Sequence, residues 1–383
     1  MKLGNMENEV IIIAFYLPQF HPFPENDVWW GKGFTEWTNV GKAKPLFKGH
    51  NQPRVPTELG YYDLRLPIVR EQQAQMARDA GVTAFCYWHY WFGNGRRLIP
   101  EVFDEVLESG RPDFPFCLGW ANHSWYAKNW NSDGTTTQKL LMEQTYPGIE
   151  DEKMHFQYLI RAFKDPRYVK IDNCPFFHIF DPESLPQEYL DNFRKWTKEA
   201  GFKDLFLVAK IFSNQKPQDY LDKGYSAVTV QRLAGEKKFG IFSSSRIGRR
   251  LYKEIRKVKG FFIHRPPFMY DYSQEYHNLI QEIDKDENVI PAILPQWDHT
   301  PRSGWNGSLF INSTPHLFGK HVKEALNAIK EKPKERRILL LKSWNEWGEG
   351  NYMEPDMVNG RGFINVLREQ INQYQDQITD SFV

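Results

Sequence analysis

The sequence lacks most of the features that would classify it at a glance. Among its 383 residues there are only three cysteines, Cys86, Cys117 and Cys174, and none belongs to a C-x-x-C pair. Their apolar surroundings predict buried, reduced thiols rather than a redox or zinc motif. No run of about 18 apolar residues occurs, so no segment reads as a membrane-spanning helix. The start, MKLGNMENEV, has no signal-peptide pattern: the apolar run Ile11–Leu17 is short and stops at Pro18. The expected location is therefore cytoplasmic. Charge of neither sign dominates, and a formal net charge of +1 gives no global attraction to nucleic acid. Neither G-x-G-x-x-G nor G-x-x-x-x-G-K-[ST] occurs, so no glycine-rich phosphate turn marks a nucleotide fold. An H-E-x-x-H motif is missing too, and no cofactor is expected.

Aromatic residues, by contrast, are plentiful: 15% of the chain, with 13 tryptophans. Apolar runs of strand length recur at 9–17, 82–88, 114–120, 175–180, 205–210, 226–230, 289–295 and 337–344. Runs apolar on both faces belong to parallel strands covered by helices. Helical patterns lie between or after them at 66–82, 186–202, 315–332 and 360–378. In the first, Ile68, Gln72, Met76 and Ala80 are expected along the buried side, with Gly81 as the stop. Eight strands alternating with helices predict an α/β fold, a single-domain (β/α)8 TIM-type barrel over 1–383 with long loops at its C-terminal face.

In such a barrel chemistry gathers where the strands end. Those places carry Tyr16; His89; Asn122 and Trp125; Trp297, Asp298 and Arg302; and Trp344, Asn345 and Trp347. Rings mixed with amides, imidazole and charge suit a sugar, whose apolar faces stack and whose hydroxyls take hydrogen bonds. All ten are candidate substrate-binding residues. For Asp298 and Arg302 the alternative is an ion pair bracing the loop. The segment GFTEWTNV, with Glu36 and Trp37, is expected to fold over the barrel mouth.

The sharpest stretch is SWNEWGEGNYMEPD at 343–356. Glycoside cleavage needs two carboxyl groups with different tasks and separated pKa values. Glu346 and Glu349 are three apart, so on a straight strand they face opposite ways. They converge only if the chain turns after Trp344, which Gly348 and Gly350 permit. Solvated loop glutamates, or a metal site with Glu354, are the alternatives.

The stretch EWGEGNYMEP resembles the E-W-x-E-G-x-x-[IM]-E-P signature of glycoside hydrolase family 99, endo-acting α-mannosidases and α-mannanases on a (β/α)8 barrel. Over residues 9–372 the chain resembles still more closely the bacterial WbsX-type glycosyltransferases, which are family-99-like proteins. The landmarks lie at 14–40, 86–98, 118–125, 294–302 and 343–356. The resemblance implies that Glu346 draws the proton from the substrate's own 2-hydroxyl, whose oxygen attacks the anomeric carbon. Glu349 is then the acid that protonates the leaving oxygen and later activates water. The implied substrate is an α-linked, mannose-type oligosaccharide or polysaccharide.

Two other readings stay open. One is a glycosyltransferase of surface-polysaccharide assembly using the same cleft, disfavoured for want of an Asp-x-Asp donor-diphosphate site. The other is a glycan-binding protein without turnover. Finally, 232–265 carries eleven Lys and Arg against Glu236 and Glu254. Weak contact with an anionic membrane is one expectation for it, and a solvated charged excursion is the other.

Overall fold

The computed structural model describes residues 9–130, 136–232, 246–262 and 265–380. Eight strands form the barrel: β1 (Ile11–Tyr16), β2 (Ala84–His89), β3 (Phe116–Trp120), β4 (Cys174–Ile179), β5 (Phe206–Phe212), β6 (Ala227–Gln231), β7 (Ala292–Ile293) and β8 (Ile338–Leu341). Each falls within or beside one of the eight expected runs. Neighbours pair in parallel in the order β7-β8-β1-β2-β3-β4-β5-β6. The ring comes round where Val228 of β6 bridges Val289, just before β7, with Ile290 N donating to Val228 O at 2.7 Å.

The strands are apolar on both sides because both sides are covered. Residues of even number in β1, such as Ala14 and Tyr16, face the outer helices, while Phe15 and Leu17 face the barrel axis. Inside, Phe15 stacks on Trp88 with ring centroids 4.7 Å apart. Outside, Ile12, Leu118, Leu339 and Leu341 are fully buried under helices. Burying one such Leu or Ile side chain contributes about 1.5–3 kcal/mol.

The four expected helices are present as Pro67–Ala80, Gln187–Glu199, Pro315–Ile329 and Gly362–Asp380. The first is rotated from its expected setting. Its buried side is Val69, Gln73, Ala74, Met76, Ala77 and Ala80, whereas Ile68 is 62% exposed and Gln72 lies in water. Arg70 takes a buried place there because its guanidinium donates to Leu64 O at 2.6 Å. Gly81 ends the helix with φ +84°, as expected. Further helices, Glu101–Ser109, Ile149–Lys164 and Arg246–Phe262, were not marked out by periodicity. The loop after β3 is an antiparallel hairpin, Trp125–Trp130 with Thr136–Met142. Cys86 and Cys117 are buried free thiols, but Cys174, at the start of β4, is half-buried.

Candidate active site

A cleft of about 990 Å³ opens at the C-terminal ends of the strands. Its walls are aromatic: Trp30, Phe34, Trp88, Tyr90, Trp125, Phe180 and Trp297. Its polar lining includes Gln19, Asn26, Asn39, His123, His299 and Asn351, and its charged lining includes Glu36, Arg302, Lys342, Glu346 and Glu349.

The chain just past β8 places the carboxylates. Trp344 N donates to Phe15 O at 2.8 Å, and Asn345 clamps the Leu17 backbone from both sides, at 2.7 and 3.0 Å. Asn345–Glu346 then pairs antiparallel with Asn351–Tyr352, and the turn Trp347–Glu349 between them brings Glu349 back beside Glu346. Gly350 closes that turn at φ +55°. A Cβ there would stand 2.7 Å from the Asp298 Cβ, so only glycine fits. At Gly348 the missing side chain leaves room for Glu36 and Arg302. From the neighbouring loop, Asp298 N donates to Glu349 O at 2.7 Å and fixes the backbone behind the second glutamate.

Arg302 sits among the acids. Its Nη1 bonds Glu349 Oε1 and lies 3.5 Å from Glu346 Oε1, while its Nη2 lies 3.0 Å from Glu36 Oε2. Because one nitrogen reaches both glutamates within 3.5 Å, their nearest oxygens are no more than about 7 Å apart. The His299 Nε2 is 3.5 Å from Glu349 Oε1. Both glutamate side chains remain 17% exposed, so neither is sealed from the cleft.

This geometry separates the two acids electrically. Burial, then the Glu349 charge, pushes the Glu346 carboxyl up to about 8, against the pull of Arg302. Burial also acts to raise Glu349, but Arg302, His299 and Lys342 outweigh it and hold that carboxyl down at about 2. The pair on its own thus keeps one proton, on Glu346. Burial works against the Arg302 charge, and Glu36, Glu349 and Glu346 more than restore it. Burial lowers the Lys342 amine as well, while Glu346 and Glu349 act the other way.

The expected site residues divide by strand parity. Glu346, Glu349, Trp125, Trp297 and Arg302 line the cleft. Seven others do not, which corrects their assignment to substrate contact. Tyr16 lies between the lining residues Phe15 and Leu17, so it faces outward and donates to Gln73 Oε1 at 2.7 Å. His89, between Trp88 and Tyr90, turns to His155 with a nitrogen separation of 2.8 Å. Asn122 is fully buried and staples Asp181, donating to its carbonyl at 2.7 Å and accepting from its amide at 2.8 Å. Asp298 lies between Trp297 and His299 and points away from the cleft. It is an anion brace, as one reading had it, but its partners are His50 at 2.9 Å and Gln52 at 2.7 Å rather than Arg302. Burial would raise its carboxyl, but His50, Arg54, Thr300 and Gln52 hold it at about 2. Trp344 is wholly buried, Asn345 is the backbone clamp, and Trp347 stacks on Tyr352 at 3.7 Å.

Trp347 Nε1 also donates to Glu354 Oε2 at 2.6 Å, which explains the buried third glutamate of the signature. Tyr62 and Gln73 donate to the same carboxylate, so Glu354 is a structural acceptor. Among the described residues no group of three or more His, Cys, Asp or Glu is arranged to hold a metal ion.

Trp88, Tyr90 and His299 also stand at predicted strand ends but are not among the expected site residues, and Lys342 carried no expectation; all four line the cleft. For Trp88, Tyr90 and His299 a signal was available: Trp88 and Tyr90 are two positions apart, as are Trp297 and His299. Glu36 was expected at the barrel mouth, and the helix Glu36–Lys42 does stand there, with Glu36 N donating to Gln19 O at 3.4 Å. Its ion pair with Arg302, 266 residues away, has no sequence signal.

The fold is the (β/α)8 barrel also found in glycoside hydrolase family 99. The GH99 endo-alpha-mannosidase from Bacteroides thetaiotaomicron superposes with a TM-score of 0.54 at 14% identity, over 96% of this chain and 98% of that one. A structure described as a glycoside hydrolase-like protein superposes with a TM-score of 0.53 at 16% identity, over 96% and 94%. The family model described as Glycosyltransferase WbsX matches residues 12–367, and the chain belongs to that family. Uncharacterized protein WxcX from two strains of Xanthomonas campestris pv. campestris is 30% identical over 375 residues, 96% of this chain and 50% of each relative. The chain spans about half the length of these curated relatives.

An Asp-x-Asp does occur in the chain, Asp284-Lys285-Asp286, contrary to the ground on which transfer was disfavoured. It does not line the cleft: Asp284 is fully buried and pairs with Arg232 at 2.9 Å. No described helix is long and apolar enough to cross a membrane. The basic segment lies partly outside the described residues, at 233–245, 263 and 264.

Proposed function

We propose that the chain is a glycan-active enzyme that cleaves an α-linked, mannose-type glycosidic bond through Glu346 and Glu349. One observation supports this above the rest. Two glutamates pushed to opposite protonation states reach the same guanidinium nitrogen on the floor of an aromatic-walled cleft.

On this reading Glu346 takes the proton of the sugar 2-hydroxyl. Oxygen 2 bonds to the anomeric carbon as the bond to the leaving oxygen breaks, and Glu349 delivers a proton to that oxygen. A 1,2-anhydro sugar results. Glu349 then takes a proton from water, whose oxygen opens the strained ring at the anomeric carbon, and Glu346 returns its proton to oxygen 2. Two inversions give overall retention.

Before substrate binds, the acids hold the opposite charges, with the proton on Glu346. The reaction therefore requires that substrate draw Arg302 away from Glu349, so that the shared proton moves to Glu349 before the bond breaks. A hydroxyl-bearing ligand between the acids supplies both the steric displacement and the new hydrogen bonds.

The test is incubation with a panel of α-mannosyl fluorides and α-mannosyl oligosaccharides, with and without nucleotide sugars. Release of product that stops in Glu346→Gln and Glu349→Gln, with glycan binding kept, is the expected result. Binding without turnover in the wild type would leave a lectin. Turnover only with a nucleotide sugar would favour the second reading, a transferase, to which the family's description lends weight.

A further inference from the structure

Helix Arg246–Phe262 comes after β6, whose last residue, Gln231, lines the cleft. Leu251, Ile255 and Val258 on it are 50%, 50% and 58% exposed, and Phe262 is 76% exposed. Their spacing of four, three and four residues puts all four within an arc of about 60° at 100° per residue. The other side of the helix meets the protein. Arg256 lies over the Tyr270 ring at 4.8 Å, and a Cβ on Gly260 would stand 2.7 Å from the Arg265 carbonyl. The apolar stripe therefore faces away from the body it is attached to. A surface helix normally does the reverse.

Charge narrows the choice of what covers it. Within the helix Arg246, Arg249, Arg250, Lys253, Arg256, Lys257 and Lys259 stand against Glu254 alone. A second copy would bring the same positive helix against this one and be repelled. Nucleic acid would satisfy the charge and leave the leucine, isoleucine and valine in water. An anionic lipid surface satisfies both, with acyl chains for the stripe and headgroups for the bases.

We infer that helix Arg246–Phe262 is an interfacial anchor that lays its apolar stripe into an anionic lipid surface. The inference does not depend on which reaction the site performs.

The test is sedimentation of the whole protein with vesicles of phosphatidylcholine alone, or of equal parts phosphatidylcholine and phosphatidylglycerol. Binding to the anionic vesicles is expected, with release at high salt. The triple variant Leu251→Ser, Ile255→Ser, Val258→Ser is expected to lose about tenfold or more in partitioning, since several buried CH2 groups go. These side chains are on the surface, and an unchanged circular dichroism spectrum confirms the variant's fold. Lys257→Glu, a milder change, is expected to weaken binding at low salt only. No binding to anionic vesicles overturns the inference, as does equal binding by the triple variant. A concentration-dependent dimer that the triple variant abolishes, seen by light scattering, overturns it in favour of a second copy.

Discussion

Arg302→Met is the most informative single change in the site. Methionine keeps much of the side chain's bulk and removes the charge shared by Glu36, Glu346 and Glu349. An opposite charge at this range shifts a carboxyl by about 1–3 pKa units, or about 1.4–4 kcal/mol. Glu349 is therefore expected to climb from about 2 by that amount. Stability depends on the same charges. In the wild type the depressed Glu349 contributes stability that is present above the unfolded value of about 4.3 and lost as pH falls toward 2. Without Arg302, Glu349 climbs toward or just past its unfolded value, so the folded variant takes up that proton at a higher pH than the wild type does. The variant should be less stable by about 3–5 kcal/mol near neutrality, as when one partner of a buried pair is removed. That deficit should shrink as pH falls from about 5 toward 2, the interval between the variant and wild-type titrations of Glu349. Carbon-13 NMR of labelled glutamate carboxyls reads the titration, and urea unfolding at the two pH values reads the stability. A Glu349 that still titrates near its wild-type position, or a deficit that does not change with pH, would refute the electrostatic account of the site.

The same geometry sets three more outcomes. Glu346→Gln removes a carboxyl whose raised folded value makes the wild type lose stability as pH climbs from about 4.3 toward 8, so the variant should gain about 1 kcal/mol or more at the alkaline end and little in acid. Thermal unfolding across that range checks the sign. Gly350→Ala puts a side chain at φ +55° and against the Asp298 Cβ, which should cost about 1–3 kcal/mol and displace Glu349. Denaturant unfolding and turnover should fall together. Asp298→Ala leaves His50 and Gln52 without their shared acceptor and should cost about 1–3 kcal/mol, with no direct loss of a substrate contact. A reduced unfolding midpoint with glycan affinity retained is the expected pattern.

The eight strands were legible because a strand buried on both faces is apolar throughout, as in Ile338–Leu341, and needs no knowledge of its partners. The turn that joins the two glutamates was legible through Gly348 and Gly350 for a similarly local reason. Parity was not legible in the same way. Past the end of a strand, every residue in a run such as Trp88-His89-Tyr90 or Trp297-Asp298-His299 is chemically suited to a sugar. Only the pleat decides which ones face the axis, and its phase depends on the barrel closing. One anchor would have set it: given Glu346 in the cleft, Asn345 and Trp347 must turn away. The helix at Pro67–Ala80 was misplaced for a different reason. Its buried face uses Arg70 and Gln73, polar residues satisfied by the Leu64 carbonyl and by Tyr16 and Glu354, so apolar periodicity pointed elsewhere.

The family's description as a glycosyltransferase and the hydrolase fold of its structural neighbours are compatible on the proposed route. The first step makes a 1,2-anhydro sugar and is the same whether hydrolysis or transfer comes next. What differs is the hydroxyl that Glu349 deprotonates in the second step. Water gives hydrolysis, and a sugar hydroxyl seated on the far side gives transfer from a glycan donor. On that proposal the choice lies with the aromatic walls against which an acceptor would stack, Trp30, Phe34 and Trp125 among them, and not with the acids. Substituting Trp125 with alanine should therefore shift the ratio of transferred to hydrolysed product toward hydrolysis, by removing a stacking surface worth about 1–3 kcal/mol, while leaving cleavage of an activated donor nearly intact. Product ratios measured with an α-mannosyl fluoride and an excess of acceptor sugar read this directly. An unchanged ratio would move the decision back to the acid pair.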